Sequence, residues 1–225
     1  MTKLELEQFV TELLGKEQVD VNAFYTPDEL LRALNKAQQD VSQDLRIPRR
    51  LLVVETPSPF DMPTEARGGG LISIVDDETQ QQLRIMSVEE ANRNYPGWQT
   101  WEVDYEPPRF VVYDPGNITA TVTAVPKHTT PRKYYIHYAI RPGDLVADTD
   151  VPFNNDPDLT DLHPLVAYKA AAYLFETDKT ADGVHQANRM LQHYQVEKAR
   201  LASRVLRTEQ IRVRNRYWRS FFGGG

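Results

Sequence analysis

Apolar positions along this chain follow two periods, and the switch between them divides the sequence. Near the start, Leu6, Val10, Leu13 and Leu14 recur at helical spacing. A second helix is predicted from Pro27. Thr26 is its N-cap, Pro27 sits at the first helical position, and Glu29 completes a Thr-x-x-Glu capping box. Leu30, Leu34, Ala37, Val41 and Leu45 form its apolar stripe. Pro48 ends it, because the residue before a proline avoids the helical region. From residue 49 to residue 157 the pattern shortens to strands. Leu51–Glu55, Leu71–Val75, Leu83–Met86, Trp101–Tyr105, Phe110–Tyr113, Ile118–Val125 and Tyr134–Ile140 are rich in β-branched and aromatic residues. Pro, Gly, Asn and Asp separate them, and Pro115–Gly116–Asn117 marks a turn. Ser87–Ala91 reads as one helical turn within this region, and Thr56–Gly70 as a mobile loop.

Helix returns at Pro164. Leu165, Tyr168, Ala172 and Phe175 form its predicted buried face, and Thr177–Ala181 a short break. A long helix follows, with Val184, Ala187, Leu191, Tyr194, Leu201 and Val205 near one side. After about residue 208 the apolar period fades. The expected fold is α+β. A four-helix bundle is built from the N- and C-terminal helix pairs, with an inserted β-sandwich or barrel-like domain and an extended C-terminal tail. The expected divisions are residues 1–48 and 161–207 for the bundle, 49–160 for the β-domain and 208–225 for the basic, aromatic tail.

Charge sharpens the last boundary. The 225 residues carry 26 Lys and Arg against 32 Asp and Glu, a net charge of −6. Residues 197–225 hold eight basic side chains and two acidic ones, so that segment is +6 and the remainder −12. A basic end on an acidic body points to a specific contact for the end. The absence of cysteine excludes disulfides, thiolate zinc sites and a cysteine nucleophile. No apolar run approaches the ~18 residues of a membrane span, and the acidic, amphipathic start does not read as a signal peptide.

Catalytic patterns are missing. His128, His137, His163, His185 and His193 include no HExxH pair; His185 and His193 lie eight apart on one helix without a poised carboxylate. Gly68–Gly69–Gly70 lacks the residues of a phosphate loop. Asp76, Asp77 and Glu78 read as a turn, and Glu89 and Glu90 as the acidic first turn of a helix after Ser87. No serine occupies a GxSxG elbow, and Asn117–Ile118–Thr119 reads as a strand start, not a glycosylation site. No metal, cofactor or catalytic residue is expected.

Several strings in fixed order carry a resemblance. Met86-Ser-Val-Glu-Glu-Ala-Asn-Arg-Asn-Tyr-Pro-Gly-Trp98 is followed by PRFVVYDPGNITATVTAVP, then YYIHYAIRPGDLVADTDVP, then DLHPLVAYKAAAYLFETD and a long helix. Over residues 26–206 this series resembles the head-to-tail adaptor (connector) proteins of tailed bacteriophages. The resemblance implies a structural virion protein at the head–tail interface, assembled in the host cytoplasm. It implies a homo-oligomeric ring, typically a dodecamer, beneath the portal protein. A tail or nozzle protein would sit below, and genomic DNA would pass through the channel without sequence-specific binding. It implies a C-terminal segment docked on the portal. Arg212, Arg214, Arg216, Tyr217, Trp218, Arg219, Phe221 and Phe222 are the expected docking residues, since arginine and aromatics are enriched at interface anchors. The competing reading is a DNA-binding module using the basic C-terminal segment. A glycan-acting virion enzyme is a weaker third, because no carboxylate pair stands out.

Overall fold

The computed structural model describes residues 1–15, 25–66, 70–116 and 120–222, with side chains as far as Leu201. The chain divides into two compact units, residues 1–41 with 142–225 and residues 42–141. The protein is mixed α+β, with helices at both ends of the chain and two four-stranded sheets between them.

The first unit begins with α1 (Lys3–Leu13), capped by Thr2 and Glu5 in a capping box. α2 (Pro27–Leu45) starts as its sequence specifies: the Glu29 N–H donates to Thr26 Oγ1 at 3.2 Å and the Thr26 N–H to Glu29 Oε2 at 2.8 Å. Leu34, Ala37 and Val41 of its stripe are fully buried. After the β-rich unit, which carries the short helix α3 (Val88–Asn94), come a single left-handed turn, α4 (Pro152–Asn155), and a 3₁₀ segment (Pro157–Leu162). α5 (His163–Thr177) and α6 (Ala181–Phe222) follow. A three-residue connection makes α5 and α6 antiparallel neighbours, and α1 packs on α5 as well.

α5 is therefore central to its unit. Leu165, Val166, Ala167, Ala170, Ala171, Ala172 and Leu174 are all buried, where a single buried face was expected. A helix covered from more than one side needs apolar residues around most of its circumference. Among the described residues of α6, Gly183, Ala187, Met190, Tyr194 and Leu201 are buried, whereas Val184, expected on that face, is 52% exposed. Gly183 lies beside Val184, where a Cβ would stand 2.8 Å from the Phe175 carbonyl oxygen.

The second unit is a sandwich. One sheet runs β1 (Arg49–Thr56), β8 (Arg132–Ala139), β3 (Leu71–Asp76), β4 (Gln81–Gln82). The other runs β2 (Phe60–Asp61), β7 (Thr121–Val125), β6 (Phe110–Asp114), β5 (Arg84–Ser87). The core between them contains Ile74, Tyr134 and Ile136 from one sheet and Phe60, Val111 and Val122 from the other. Two strand expectations change. Thr56–Gly70, read as a mobile loop, holds β2 and the 3₁₀ turn Thr64–Ala66, with Phe60, Met62 and Ala66 buried in the core. Trp101–Tyr105, read as a strand, contributes one isolated bridge, Glu102 with Lys127. Pro107 and Pro108 follow it and lack the N–H groups that would extend a ladder.

Candidate functional site

The eight expected docking residues, Arg212, Arg214, Arg216, Tyr217, Trp218, Arg219, Phe221 and Phe222, all fall on α6. Their side chains lie outside the described residues. The backbone corrects one expectation: residues 208–222 continue the helix and are not an extended tail. The apolar period fades there, but Arg, Gln and Glu are good helix formers. α6 has 42 residues, so it is about 63 Å long at 1.5 Å per residue. α5 has 15 residues and spans about 23 Å, so α6 outruns the helix it packs against.

The strings that carry the resemblance have structural work within the chain. Met86–Trp98 forms the end of β5, α3 (Val88–Asn94) and a turn, folded over the outer face of the second sheet. Ser87 caps α3 by accepting from the Glu90 N–H at 3.1 Å. Gly97 takes φ +87°, a conformation that glycine adopts without strain. The turn swings Trp98 inward, where its indole N–H donates to Asn92 Oδ1 at 2.8 Å, and Tyr95 stacks on Phe110 with centroids 4.6 Å apart. The following string is the β6–β7 hairpin, pairing Phe110 with Val125 through Asp114 with Thr121.

The next string leaves β8 and enters the helical unit at Pro142, so residues 142–160 lie with the helices, not with the β-rich unit. Two amides on α2 hold it. Asn35 Nδ2 donates to the Leu145 carbonyl at 3.0 Å, and its Oδ1 accepts from the Leu145 N–H at 2.7 Å. One turn on, the buried Gln38 donates through Nε2 to the Gly143 carbonyl at 2.8 Å and accepts from the Phe153 N–H at 3.0 Å. Positions i and i+3 share a helix face, so both side chains reach the same strap. Asp150 Oδ2 accepts from the Val146 and Ala147 N–H groups, both at 2.7 Å, and these bonds hold its carboxyl below the usual range. Lys3 Nζ reaches Asp148 Oδ1 at 2.8 Å, and that bond raises the lysine pKa. The strap presents Asp144, Asp148 and a 71%-exposed Val146 to solvent. Sequence reasoning missed it, because the partners lie more than 100 residues apart.

Three of the histidines make defined contacts within the fold. His163 is buried at the start of α5, and its Nδ1 accepts from the N-terminal amine at 2.8 Å. Its Nε2 has no partner among the described residues. Burial, aided by the adjacent ammonium, pushes its pKa down to about 4. His128 Nδ1 donates to the Thr130 carbonyl at 2.7 Å, so Nε2 accepts from the Tyr134 hydroxyl at 2.5 Å. Burial lowers the His128 pKa. His193 stacks on Tyr168 at 5.9 Å. Among the described residues no three His, Asp or Glu side chains converge on a point that could hold a metal ion. Nor is any helix among them long and apolar enough to cross a membrane.

Of the acidic run expected as a turn, Asp77 and Glu78 lie in the turn and Asp76 is the last residue of β3. Asp76, fully buried, accepts from the Thr79 N–H at 3.0 Å and hydroxyl at 2.7 Å, and pairs with Arg132 at 3.4 Å. A cleft of about 380 Å³ lies between Gln81–Leu83 and Glu106–Arg109, but its one carboxylate, Glu106, is paired with Arg109 at 3.2 Å. Gly68, Gly69 and the Asn117–Thr119 sequon lie outside the described residues.

A family model described as SU10 adaptor protein matches residues 1–220. The chain belongs to the SU10 adaptor family. No curated protein matches it. Membership makes this chain a bacteriophage structural adaptor, a virion component that interacts with other virion proteins, in a family that is generally not enzymatic.

Proposed function

We propose that this adaptor is a head-to-tail connector. It assembles as a dodecameric ring beneath the portal protein, docks on the portal through residues 208–225, and meets a tail or nozzle protein below. Genomic DNA passes through the ring without sequence-specific binding. The helices α1, α2, α5 and α6 form the bundle of the ring body. In support, α1 and α6 pack on α5, and α2 is tied to α5 by the Tyr173 hydroxyl on Asp40.

The observation that carries the docking role is the excess length of α6 combined with its composition. The helix extends past its antiparallel neighbour where the sequence turns to arginine and aromatics. Such residues anchor interfaces by filling pockets and pairing with carboxylates. By helical periodicity, positions 217, 218, 221 and 222 share one side of α6. The −12 carried by residues 1–196 favours a channel along which DNA slides, since like charge discourages adhesion.

The test is incorporation onto portal-containing heads. Deleting residues 208–225 abolishes it, and Trp218→Ala or Phe221→Ala weakens it more than His185→Ala does. Unchanged incorporation of the truncated chain removes the docking role. A gel shift separates the DNA-binding alternative, which requires low-salt affinity that falls steeply as salt rises.

A further inference from the structure

β1 is the longest sheet edge in the β-rich unit. It has eight residues, whereas the edge strands β2 and β4 have two each and β5 has four. It pairs with β8 from Arg49↔Ala139 to Thr56↔Arg132 without a register shift. Among the described residues, no backbone hydrogen bond reaches it from the other side. Proteins usually blunt such an edge with a proline, a bulge or a covering segment, and β1 contains neither proline nor bulge. Its side chains alternate. Leu52 and Val54 pack into the sandwich core, while Val53 on the opposite face is 48% exposed and Glu55 is exposed.

The edge is complementary to itself in one register. Two copies related by a two-fold axis through Leu52 place Arg49 opposite Glu55 and Leu51 opposite Val53, each pair occurring twice. All four residues lie on the same outer face, so the contacts are direct cross-strand neighbours. A two-fold at Leu51 sets Arg49 against Val53, and one at Val53 sets Arg50 against Thr56 and Leu51 against Glu55. Neither pairs opposite charges.

We propose that the outer edge of β1 is a self-association site, where a second copy of this chain adds its own β1 antiparallel, centred on Leu52. The contact is isologous and closes at two copies. It therefore stands apart from the head-to-tail contact of a ring, and does not depend on the portal-docking reading.

Sedimentation velocity on the full chain, over a concentration series, reads the association. Arg49→Glu or Glu55→Arg alone sets like charges opposite in both symmetric pairs, and each weakens dimerisation by about tenfold. An equimolar mixture of the two variants restores it, because the mixed dimer has only opposite-charge pairs. Arg49 also donates to the Arg46 carbonyl at 3.0 Å, so a second pair of variants tests the register without it. The chain has no cysteine, so an introduced thiol is unique. Leu51→Cys and Val53→Cys chains, mixed and oxidised, give a disulfide dimer, since opposed Cα atoms stand about 4.5–5.5 Å apart. Either variant alone gives none, its own mates being two residues out of register and roughly 8 Å apart. A monomer at every concentration overturns the proposal. So does an oligomer indifferent to both charge changes, or a disulfide dimer formed as readily by one variant alone.

Discussion

The strap held by Asn35 and Gln38 makes the most demanding claim on a single side chain, and Gln38→Leu tests it. Leucine keeps most of the volume and removes both polar atoms. Two bonds disappear, to the Gly143 carbonyl and from the Phe153 N–H. The two losses are unequal. Gly143 is exposed, so its carbonyl can turn to water at little cost. Phe153 is fully buried, and its N–H loses the Gln38 acceptor there. A buried donor left unmet costs about 1–3 kcal/mol, with about 1 kcal/mol more for the second bond. The turn adds strain that these bonds oppose, because Phe153, Asn154 and Asn155 have φ of 56°, 59° and 57°. The expected loss is about 2–4 kcal/mol. For a chain of this size that lowers the melting temperature of the helical unit by roughly 5–12 °C. Gln39→Ala is the control, since its bond to Asp144 is at the surface; it stays within about 0.5 kcal/mol. Urea unfolding measures the difference, and amide exchange should show faster opening of residues 142–154. A Gln38→Leu chain with unchanged midpoint and unchanged exchange refutes the clamp.

Three further predictions use different contacts. Gly183→Ala, usually favourable in a helix, destabilises here by about 1–2 kcal/mol, because the new Cβ would stand 2.8 Å from the Phe175 carbonyl; a raised melting temperature contradicts this. His163 binds its proton at about pH 4 folded and near 6.5 unfolded, so the unfolded state takes up the proton first as pH falls. Stability is therefore full above about pH 6.5 and declines toward pH 4, by on the order of 3 kcal/mol, and His163→Gln flattens that part of the urea-midpoint profile. Tyr134→Phe leaves His128 Nε2 buried without its donor and costs about 1–2 kcal/mol in thermal unfolding; the Tyr134 hydroxyl is idle if the variant melts with the native protein.

What could be read from the residues was whatever is decided locally. The capping box at Thr26, the break after Thr177 and the strands expected at Leu71–Val75 and Phe110–Tyr113 depend on neighbours a few positions away, and each stands where periodicity put it, the two strands running one residue further. β2 escaped notice because two residues carry no period, and it exists because Phe60 reaches the core and pairs with Val122. Trp101–Tyr105 has strand composition, but Trp101 packs with the cover over Met86 and Phe110 and Tyr105 is exposed. The 142–154 strap has no regular pattern at all; its geometry is written in two amides on α2. Of the residues proposed for docking, the sequence supplied their types and clustering, whereas their helical backbone runs against the fading apolar period.

The division of the chain gives these long-range contacts a common logic. The β-rich unit is an insertion whose entry and exit are adjacent strands: Arg49 pairs with Ala139, and the Ile140 N–H donates to the Pro48 carbonyl at 2.9 Å. An insertion closed at its base places few demands on the order of elements around it. The helical unit is then assembled from two sequence segments that the insertion separates, residues 1–41 and 142–225. Something must register these segments against each other, and apolar packing alone does so loosely, since helices can slide by a turn at small cost in buried area. A set of polar contacts bridges the two segments: Lys3 with Asp148, Asn35 with Leu145, Gln38 with Gly143 and Phe153, Tyr173 with Asp40. A buried hydrogen bond is directional and is lost on a one-turn shift, so these bonds select a single alignment. α6 inherits that alignment through α5, and with it the direction in which its basic end leaves the unit.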